Sequence, residues 1–487
     1  MIDSDLHTLK IYQADYFEIV NEFFINATGK SHEEFCVPSE FSIAVNRLGE
    51  ELKADSSRSN RAKQSFATLE SKLRRLYGNE SIECFKSAKN ISYYKVNLGG
   101  SSRFLETQLN ATRKSLLVTD IVLIPDPIMP WLEAEREHEK FKSVHLLEAA
   151  YFILHLTDLL SNEFDLPPFL IFPSWEKSLE ELDEQTMSSI NQLIADFFSH
   201  YIDNGIAGIE DAFEFADIKE EVFLNKVENR NLFIAPGGNI GDSLEYSIAT
   251  YLDEAKLWRT ADFNKILSET SAGHIVLNGI LERIQPQYHL IENSSELKSN
   301  PLLSIEAQAH YFMLIAKMTN KRVDIISSAE NNTQAILAAL MNRRLDFLTN
   351  IESQQLVTLR KTDENIRFRQ KLRVFIADFP EADVTELDYI SSEMCAHIES
   401  LISEHEKQIS ILKGKYRAKH SKSALLASGV LAVTLMPALA PFLGAAVPFA
   451  MAAGGKYVAD KLDERHEKKV LSNSLLGVFA LAKNNSN

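Results

Sequence analysis

The sequence predicts a mainly α-helical, multi-domain protein with a few short strands in its N-terminal two-thirds. At 487 residues the chain exceeds one ordinary domain. Apolar residues recur at helical spacing over much of its length, whereas strand-like runs are few. We predict four regions: an α/β-like region at 1–98, an acidic and mainly helical body at 99–330, a helical arm with basic clusters at 331–422, and a hydrophobic hairpin with a basic tail helix at 423–487.

The composition excludes several broad classes of protein. Hydrophobic residues make up 45% of the chain and charged residues 24%, which is the balance of a folded chain rather than a disordered or collagen-like one. Three cysteines without a CxxC pair do not form a disulfide framework and fit a reducing compartment. The first twenty residues lack the apolar run of a secretory signal. We therefore expect a cytoplasmic protein.

Strand-like stretches are sparse, and we place them at 91–98, 116–124, 169–172, 231–235 and 322–326. Two of them lead through Gly-Gly and Ser into a helix. Glycines allow close approach of a phosphate, and the first amides of a helix can donate to it. We therefore consider these junctions phosphate-loop candidates, although tight turns with capped helices explain them equally well and neither has the GxGxxG spacing. The candidate phosphate-loop residues are Gly99, Gly100, Ser101, Gly237, Gly238 and Ser243.

One predicted helix, near 131–161, carries several metal-ligand types. The residues are His138, His145, Glu148, His155 and Asp158. A helical metal site also needs ligands from a facing helix, and no matching Glu-x-x-His segment is found. We therefore predict structural histidines, no metal and no cofactor. Further along, Pro286 is expected to interrupt its helix.

The charge is distributed unevenly along the chain. From residue 341 onward there are 20 basic and 17 acidic side chains, a net of +3, whereas the first 340 residues carry 31 and 51, a net of −20. One basic cluster spans 360–373. Lysine and arginine can grip a nucleic-acid backbone through its phosphates. The candidate nucleic-acid contacts there are Arg360, Arg367 and Lys371.

A long helix is predicted at 383–412. Asp383 and Glu386 have the spacing of a capping box, and apolar residues then recur at intervals of three and four for about seven turns. A stripe of this length favours a bundle or coiled-coil contact with a protein partner or a second copy of the chain.

Residues 424–455 contain no charged residue over 32 positions. About 20 apolar residues span a bilayer, and Pro437 and Pro441 divide the run, so we predict an Ala/Gly-rich helical hairpin. The alternative is a helix pair buried in a soluble core. The predicted membrane-contacting residues are Leu425, Leu426, Leu431, Leu435, Phe442, Leu443 and Phe449.

Basic residues flank this run on both sides, which places both flanks on the cytoplasmic side of a membrane. The residues predicted to bind lipid headgroups or phosphate are Lys413, Lys415, Arg417, Lys419 and Lys422. Over residues 413–470 the arrangement resembles, in composition, the hydrophobic hairpin of pore-forming bacterial toxins of the colicin kind. It is similar in the same general way to membrane-acting effectors of bacterial anti-phage systems.

No catalytic signature stands out in the sequence. We expect a non-enzymatic, membrane-associating helical effector, toxin-like or part of an anti-phage defence, that lies peripherally on or partly within the inner membrane and contacts its lipid. The first alternative is a soluble nucleotide- or phosphate-binding enzyme whose apolar C-terminal segment is buried core. The second is a nucleic-acid-binding partner in a multi-protein complex.

Overall fold

The structure is a computed structural model, and it describes residues 2–35, 47, 50–51, 54–99, 105–133, 139–161, 164, 166–172, 183–258, 261–303, 306–319, 353–362, 365–366 and 369–370. The predicted strand at 322–326, the helix at 383–412 and the hairpin at 424–455 lie outside these residues. Where the chain is described, it is mostly helical with a small parallel sheet of four strands. The predicted helical class with few strands is therefore confirmed.

The strands are β1 (Lys95–Leu98), β2 (Ile121–Pro125), β3 (Phe169–Phe172) and β4 (Asn300–Leu302). Before β2 lie α1 (Ile2–Thr28), α2 (Ser56–Asn90) and α3 (Leu105–Ser115), and between β2 and β3 lie α4 (Met129–Glu133) and α5 (Glu139–Leu156). The helices after β3 are α6 (Asp183–Tyr201), α7 (Ile209–Ile218), α8 (Glu220–Asn229), α9 (Leu244–Trp258), α10 (Ala261–Glu269), α11 (Ala272–Glu296), α12 (Glu306–Thr319) and α13 (Ser353–Arg360).

The sheet has the strand order β3-β2-β1-β4. Strand β1 pairs in parallel with β4, with Leu98 opposite Leu302, and β2 pairs in parallel with β3. The strands are buried almost throughout. Parallel strands covered on both faces have continuous apolar sequences rather than alternating ones, which explains the apolar runs at 121–124 and 169–172.

The two edge strands are protected in different ways. Strand β4 contains Pro301, which has no N–H to offer a further strand and is therefore tolerated at an edge. At the other edge, Gln13 of α1 accepts the backbone N–H of Ile171 through its Oε1 atom at 2.6 Å. A side chain thus occupies a position that another strand would otherwise take.

The prediction of a strand at 231–235 is wrong, because this stretch is a loop. Its backbone forms hydrogen bonds with side chains of helix α12. The Tyr311 hydroxyl donates to the carbonyl of Leu232 at 2.8 Å and accepts the N–H of Ile234 at 3.1 Å. His310 lies 2.8 Å from the carbonyl of Asn231. The apolar side chains of this loop are buried as they would be in a strand. Its backbone groups, however, bond to side chains rather than to the backbone of a neighbouring strand.

Two further expectations differ from the structure. Strand β4 was missed, since three residues that include a proline carry almost no strand signal. Pro286 lies inside α11 rather than ending it. A proline removes one hydrogen bond but can remain in a helix that tertiary packing stabilises. Helix α11 buries Val276, Ile280 and Ile284 completely, and this burial outweighs the local preference.

The chain divides into two compact units. The first comprises Met1–Leu109, Val122–Thr157 and Phe169–Asn332, and the second comprises Asn110–Ile121, Asp158–Pro168 and Thr333–Asn487. Within the first unit, α1 packs along α2 and also contacts α5 and β3, while α11 packs on β1 and β4. A large apolar cluster of the same unit is formed by helices α6 to α12 and the 231–235 loop.

Candidate ligand site at the carboxyl edge of the sheet

Strands β1 and β4 are neighbours in the sheet, and their carboxyl ends lie side by side. The next strand in the chain after β1 is β2, which lies on the other side of β1 from β4. In open parallel sheets such a point leaves a crevice beyond the strand ends, and ligands bind there. The first predicted phosphate loop begins at these strand ends, because Gly99 follows β1 directly and donates its N–H to the carbonyl of Leu302 of β4 at 3.1 Å.

Gly99 has a steric reason to be glycine. A Cβ atom at this position would lie 2.5 Å from Cδ2 of Leu290 on α11. Helix α11 can therefore approach the end of β1 only because the side chain is absent. Gly100 and Ser101, the other two candidate residues of this loop, lie outside the described residues.

The second predicted phosphate loop follows no strand, and carboxylates already accept its amides. The N–H of Asn239 donates to Oδ2 of Asp242 at 2.7 Å, and that of Leu244, the first residue of α9, donates to Oε1 of Glu228 at 3.2 Å. Ser243 caps α9 by accepting the N–H of Tyr246 at 3.3 Å. A phosphate would meet negative charge here, so the turn and the cap explain the motif.

Gly237 and Gly238 serve the turn that precedes α9. Gly237 has φ +72°, a left-handed conformation that favours glycine. A Cβ atom on Gly238 would lie 3.1 Å from the carbonyl oxygen of Ala235. Both glycines are therefore explained by backbone geometry without a bound anion.

At the end of β2, Asp126 forms a buried network that the sequence did not reveal. Its Oδ1 atom accepts the Tyr16 hydroxyl at 2.6 Å and the N–H of Ile128 at 2.8 Å, and its Oδ2 atom accepts the Tyr77 hydroxyl. Asp126 is only 2% exposed. Burial raises the pKa of Asp126, and hydrogen bonds from Tyr16, Tyr77 and the backbone act in the opposite direction.

The two phenols remain proton donors. Burial and the nearby Asp126 raise the pKa of both Tyr16 and Tyr77 well above the ordinary value. Tyr16 belongs to α1 and Tyr77 to α2, so the carboxylate joins two helices to the end of a strand. A sequence signal exists only in retrospect, in the acid that follows the apolar run 121–125.

Two histidines of the 131–161 region, His145 and His155, fill structural positions. His145 stacks on Trp131, with ring centroids 4.2 Å apart and planes 15° apart, and its Nδ1 atom lies 3.0 Å from Oε2 of Glu148. His155 is buried and stacks on Tyr151. His138 is not among the described residues. Within the described ranges, no group of three or more His, Cys, Asp or Glu side chains could hold a metal.

Arg360, predicted to contact nucleic acid, is only 4% exposed. Its guanidinium donates to the backbone carbonyls of Leu116, Thr119 and Asp120. With its donors turned toward protein carbonyls, this side chain does not fit the predicted phosphate contact. Burial, together with Arg369, lowers the pKa of Arg360 to about 9, while Asp120 acts to raise it.

The other predicted site residues lie outside the described part of the chain. They are Arg367, Lys371, the basic residues at 413–422 and the predicted membrane-contacting residues at 425–449. Among the helices that the structure does describe, none is long and apolar enough to cross a membrane.

Comparison of the chain with models of protein families, with curated proteins and with solved structures finds no match.

Proposed function

We propose that this protein is a non-enzymatic effector that associates with the cytoplasmic face of the inner membrane through residues 424–455. One observation carries the proposal: 32 uncharged, mostly apolar residues lie between two basic clusters. Transfer of such a run from water to a bilayer is favourable, and each basic residue near an anionic surface adds about 1 kcal/mol of attraction.

Helices α6 to α12 of the described chain form an extensive apolar core. Helices α6 to α12 bury large side chains on one another, including Phe197, Phe198, Phe223 and Tyr311. This part of the fold therefore draws its stability from apolar contacts among residues 190–318. The net charge of −20 over the first 340 residues would also keep the body away from an anionic surface.

Vesicle flotation tests this proposal. Full-length protein should float with vesicles that contain anionic lipid, and the variant lacking 424–455 should stay in the lower fractions while keeping its melting transition. The double variant Leu431→Glu/Leu435→Glu should behave like the deletion, because charge within the apolar run opposes insertion. A matched control, the double variant Ile218→Glu/Ile266→Glu, changes two exposed apolar side chains outside the run and should still float. If the full-length protein does not float with these vesicles, the proposal is wrong.

A second candidate function is binding of a phosphate-bearing nucleotide in the body. The observation that favours it is the position of Gly99 at the carboxyl ends of β1 and β4, where parallel sheets bind ligands. The two Gly-Gly-Ser junctions provide a matched test. Ser101→Asp should abolish a nucleotide-induced rise in melting temperature by repelling phosphate. Ser243→Asp should leave that rise unchanged, because aspartate also caps a helix. Equal effects of the two substitutions would contradict this function.

A further inference from the structure

The dipeptide Asn-Gly occurs twice in the chain, at 204–205 and at 278–279. A glycine after asparagine permits a spontaneous reaction, because its backbone nitrogen is not shielded by a Cβ atom and can attack the asparagine side chain. The two copies have the same local chemistry but lie in different surroundings. The fold therefore decides whether either of them reacts.

Asn204 and Gly205 lie in the turn between α6 and α7, and both residues are exposed. The N–H of Gly205 donates to Oδ1 of Asp203 at 3.0 Å, and the N–H of Ile206 donates to the carbonyl of Asp203 at 3.0 Å. A carboxylate thus lies within hydrogen-bond reach of the nitrogen that loses its proton during the attack. This is the geometry that a general base requires.

Asn278 and Gly279 lie inside α11, in a conformation in which backbone N–H groups donate to carbonyls four residues earlier. Gly279 is buried, and a Cβ atom there would lie 2.2 Å from the Phe233 ring. Attack on the Asn278 side chain would require this turn of the helix to leave its helical conformation against a packed neighbour. The fold therefore protects the second copy.

We propose that Asn204 is a site of spontaneous deamidation for which Asp203 acts as the general base. The Gly205 nitrogen gives its proton to the Asp203 carboxylate and attacks Cγ of Asn204. The new bond between this nitrogen and Cγ closes a succinimide ring, and the bond from Cγ to the side-chain nitrogen breaks, so that ammonia leaves with the proton. Water then opens the ring at either carbonyl and leaves aspartate or isoaspartate.

Isoaspartate should weaken this turn, since it adds a methylene group to the path of the backbone. The residues on either side, Ile202 and Ile206, are each 4% exposed and belong to the large apolar cluster. The carbonyl of Ile202 also accepts Nζ of Lys226 at 2.5 Å. A longer backbone between two packed residues displaces one of them, so the reaction loosens the connection between α6 and α7 irreversibly.

The test follows both Asn-Gly peptides by mass spectrometry while the folded full chain is incubated at mildly alkaline pH. The 204–205 peptide should gain the mass and the isoaspartate of deamidation, whereas the 278–279 peptide should stay intact. In urea, where the fold is absent, the two peptides should react at comparable rates. An intact Asn204 in the folded protein, or equal rates for the two peptides there, would overturn the proposal.

One substitution tests the base. Asp203→Ser keeps a side-chain acceptor for the Gly205 N–H but removes the carboxylate, and it should slow the deamidation of Asn204 by at least about tenfold. The control Glu214→Ser changes an exposed acid of α7 and should leave the rate unchanged. An unchanged rate in Asp203→Ser would overturn the role of Asp203.

The melting temperature tests the consequence. The deamidated fraction of the wild-type protein, separated by ion exchange, should melt at a lower temperature than the unreacted fraction. Identical melting of the two fractions would overturn the predicted loosening of the turn.

Discussion

At the scale of single residues, buried polar groups connect the elements around the sheet. The Asp126 carboxylate accepts hydrogen bonds from a tyrosine of α1, a tyrosine of α2 and the backbone before α4. Lys95 opens β1 and donates through Nζ to the carbonyl of Ala88 at 2.7 Å, in the last turn of α2. Lysine at a helix C-terminus satisfies carbonyls that the helix leaves unpaired.

Removal of the Asp126 carboxylate should be strongly destabilising. Asp126→Ala leaves two buried hydroxyls without their acceptor, and we expect it to lower the free energy of unfolding by about 3 kcal/mol in urea titrations. Asp126→Asn should cost clearly less, because its amide oxygen still accepts the N–H of Ile128. If the two variants were equally unstable, the negative charge rather than the hydrogen bonding would be the important property.

The pKa of Lys95 predicts a pH dependence. Burial, with a contribution from Lys298, lowers this pKa to about 8, against an unfolded value of about 10.4. The ammonium is thus disfavoured in the folded state below pH 8, and this penalty disappears as the pH rises from 8 to about 10.4. Lys95→Met should therefore raise the free energy of unfolding by about 1 kcal/mol at pH 7, and the gain should shrink by pH 10. Parallel pH profiles for the two proteins would contradict this.

At the scale of elements, α13 and the residues after it are attached to the connection between α3 and β2. Arg360 donates to three carbonyls of this connection, Asn365 donates to the carbonyl of Leu117 at 2.9 Å, and Arg369 pairs with Asp120 at 3.1 Å. All of these residues belong to the second compact unit. Two arginines of the predicted basic cluster, Arg360 and Arg369, therefore stabilise the fold.

Arg360→Met should loosen this attachment. Three backbone carbonyls, two of them in buried hydrogen bonds, lose their donor, which corresponds to about 2–4 kcal/mol of local stability. Backbone amides of 353–362 should then exchange with solvent faster in hydrogen-exchange measurements. Lys361→Met is the matched control, since both cations lie over the Phe164 ring but Lys361 is less buried. Comparable exchange in the two variants would argue against a structural role specific to Arg360.

Two glycines inside helices should respond to alanine with opposite signs. A Cβ atom at Gly279 of α11 would lie 2.2 Å from Phe233, whereas one at Gly78 of α2 would meet nothing within 4 Å. We expect Gly279→Ala to destabilise by about 1–3 kcal/mol through overpacking. Gly78→Ala should stabilise by about 0.5–1 kcal/mol through helix propensity. Melting curves of the two variants are the measurement, and shifts in the same direction would refute the packing at Phe233.

At the scale of the whole molecule, the acidic body and the basic flanks of the apolar run should act separately at a membrane. Reversal of the basic cluster at 413–422 to glutamate should reduce flotation with anionic vesicles by at least tenfold, since each basic residue contributes about 1 kcal/mol. Binding of the wild-type protein should also weaken as salt rises, because exposed charges are screened. Binding that is equal with neutral vesicles and at high salt would show that these charges play no part.

The sequence alone determined the helical class, the scarcity of strands and the uneven placement of charge, because these depend on composition and local periodicity. It could not separate the two Gly-Gly-Ser junctions, since both have the same local pattern. The pairing of Leu98 with Leu302 places Gly99 at the carboxyl ends of two strands, whereas the contacts of Glu228 and Asp242 with backbone N–H groups help to explain the other junction. Burial of Arg360 was likewise decided by contacts with residues distant in the chain, which a local pattern does not contain.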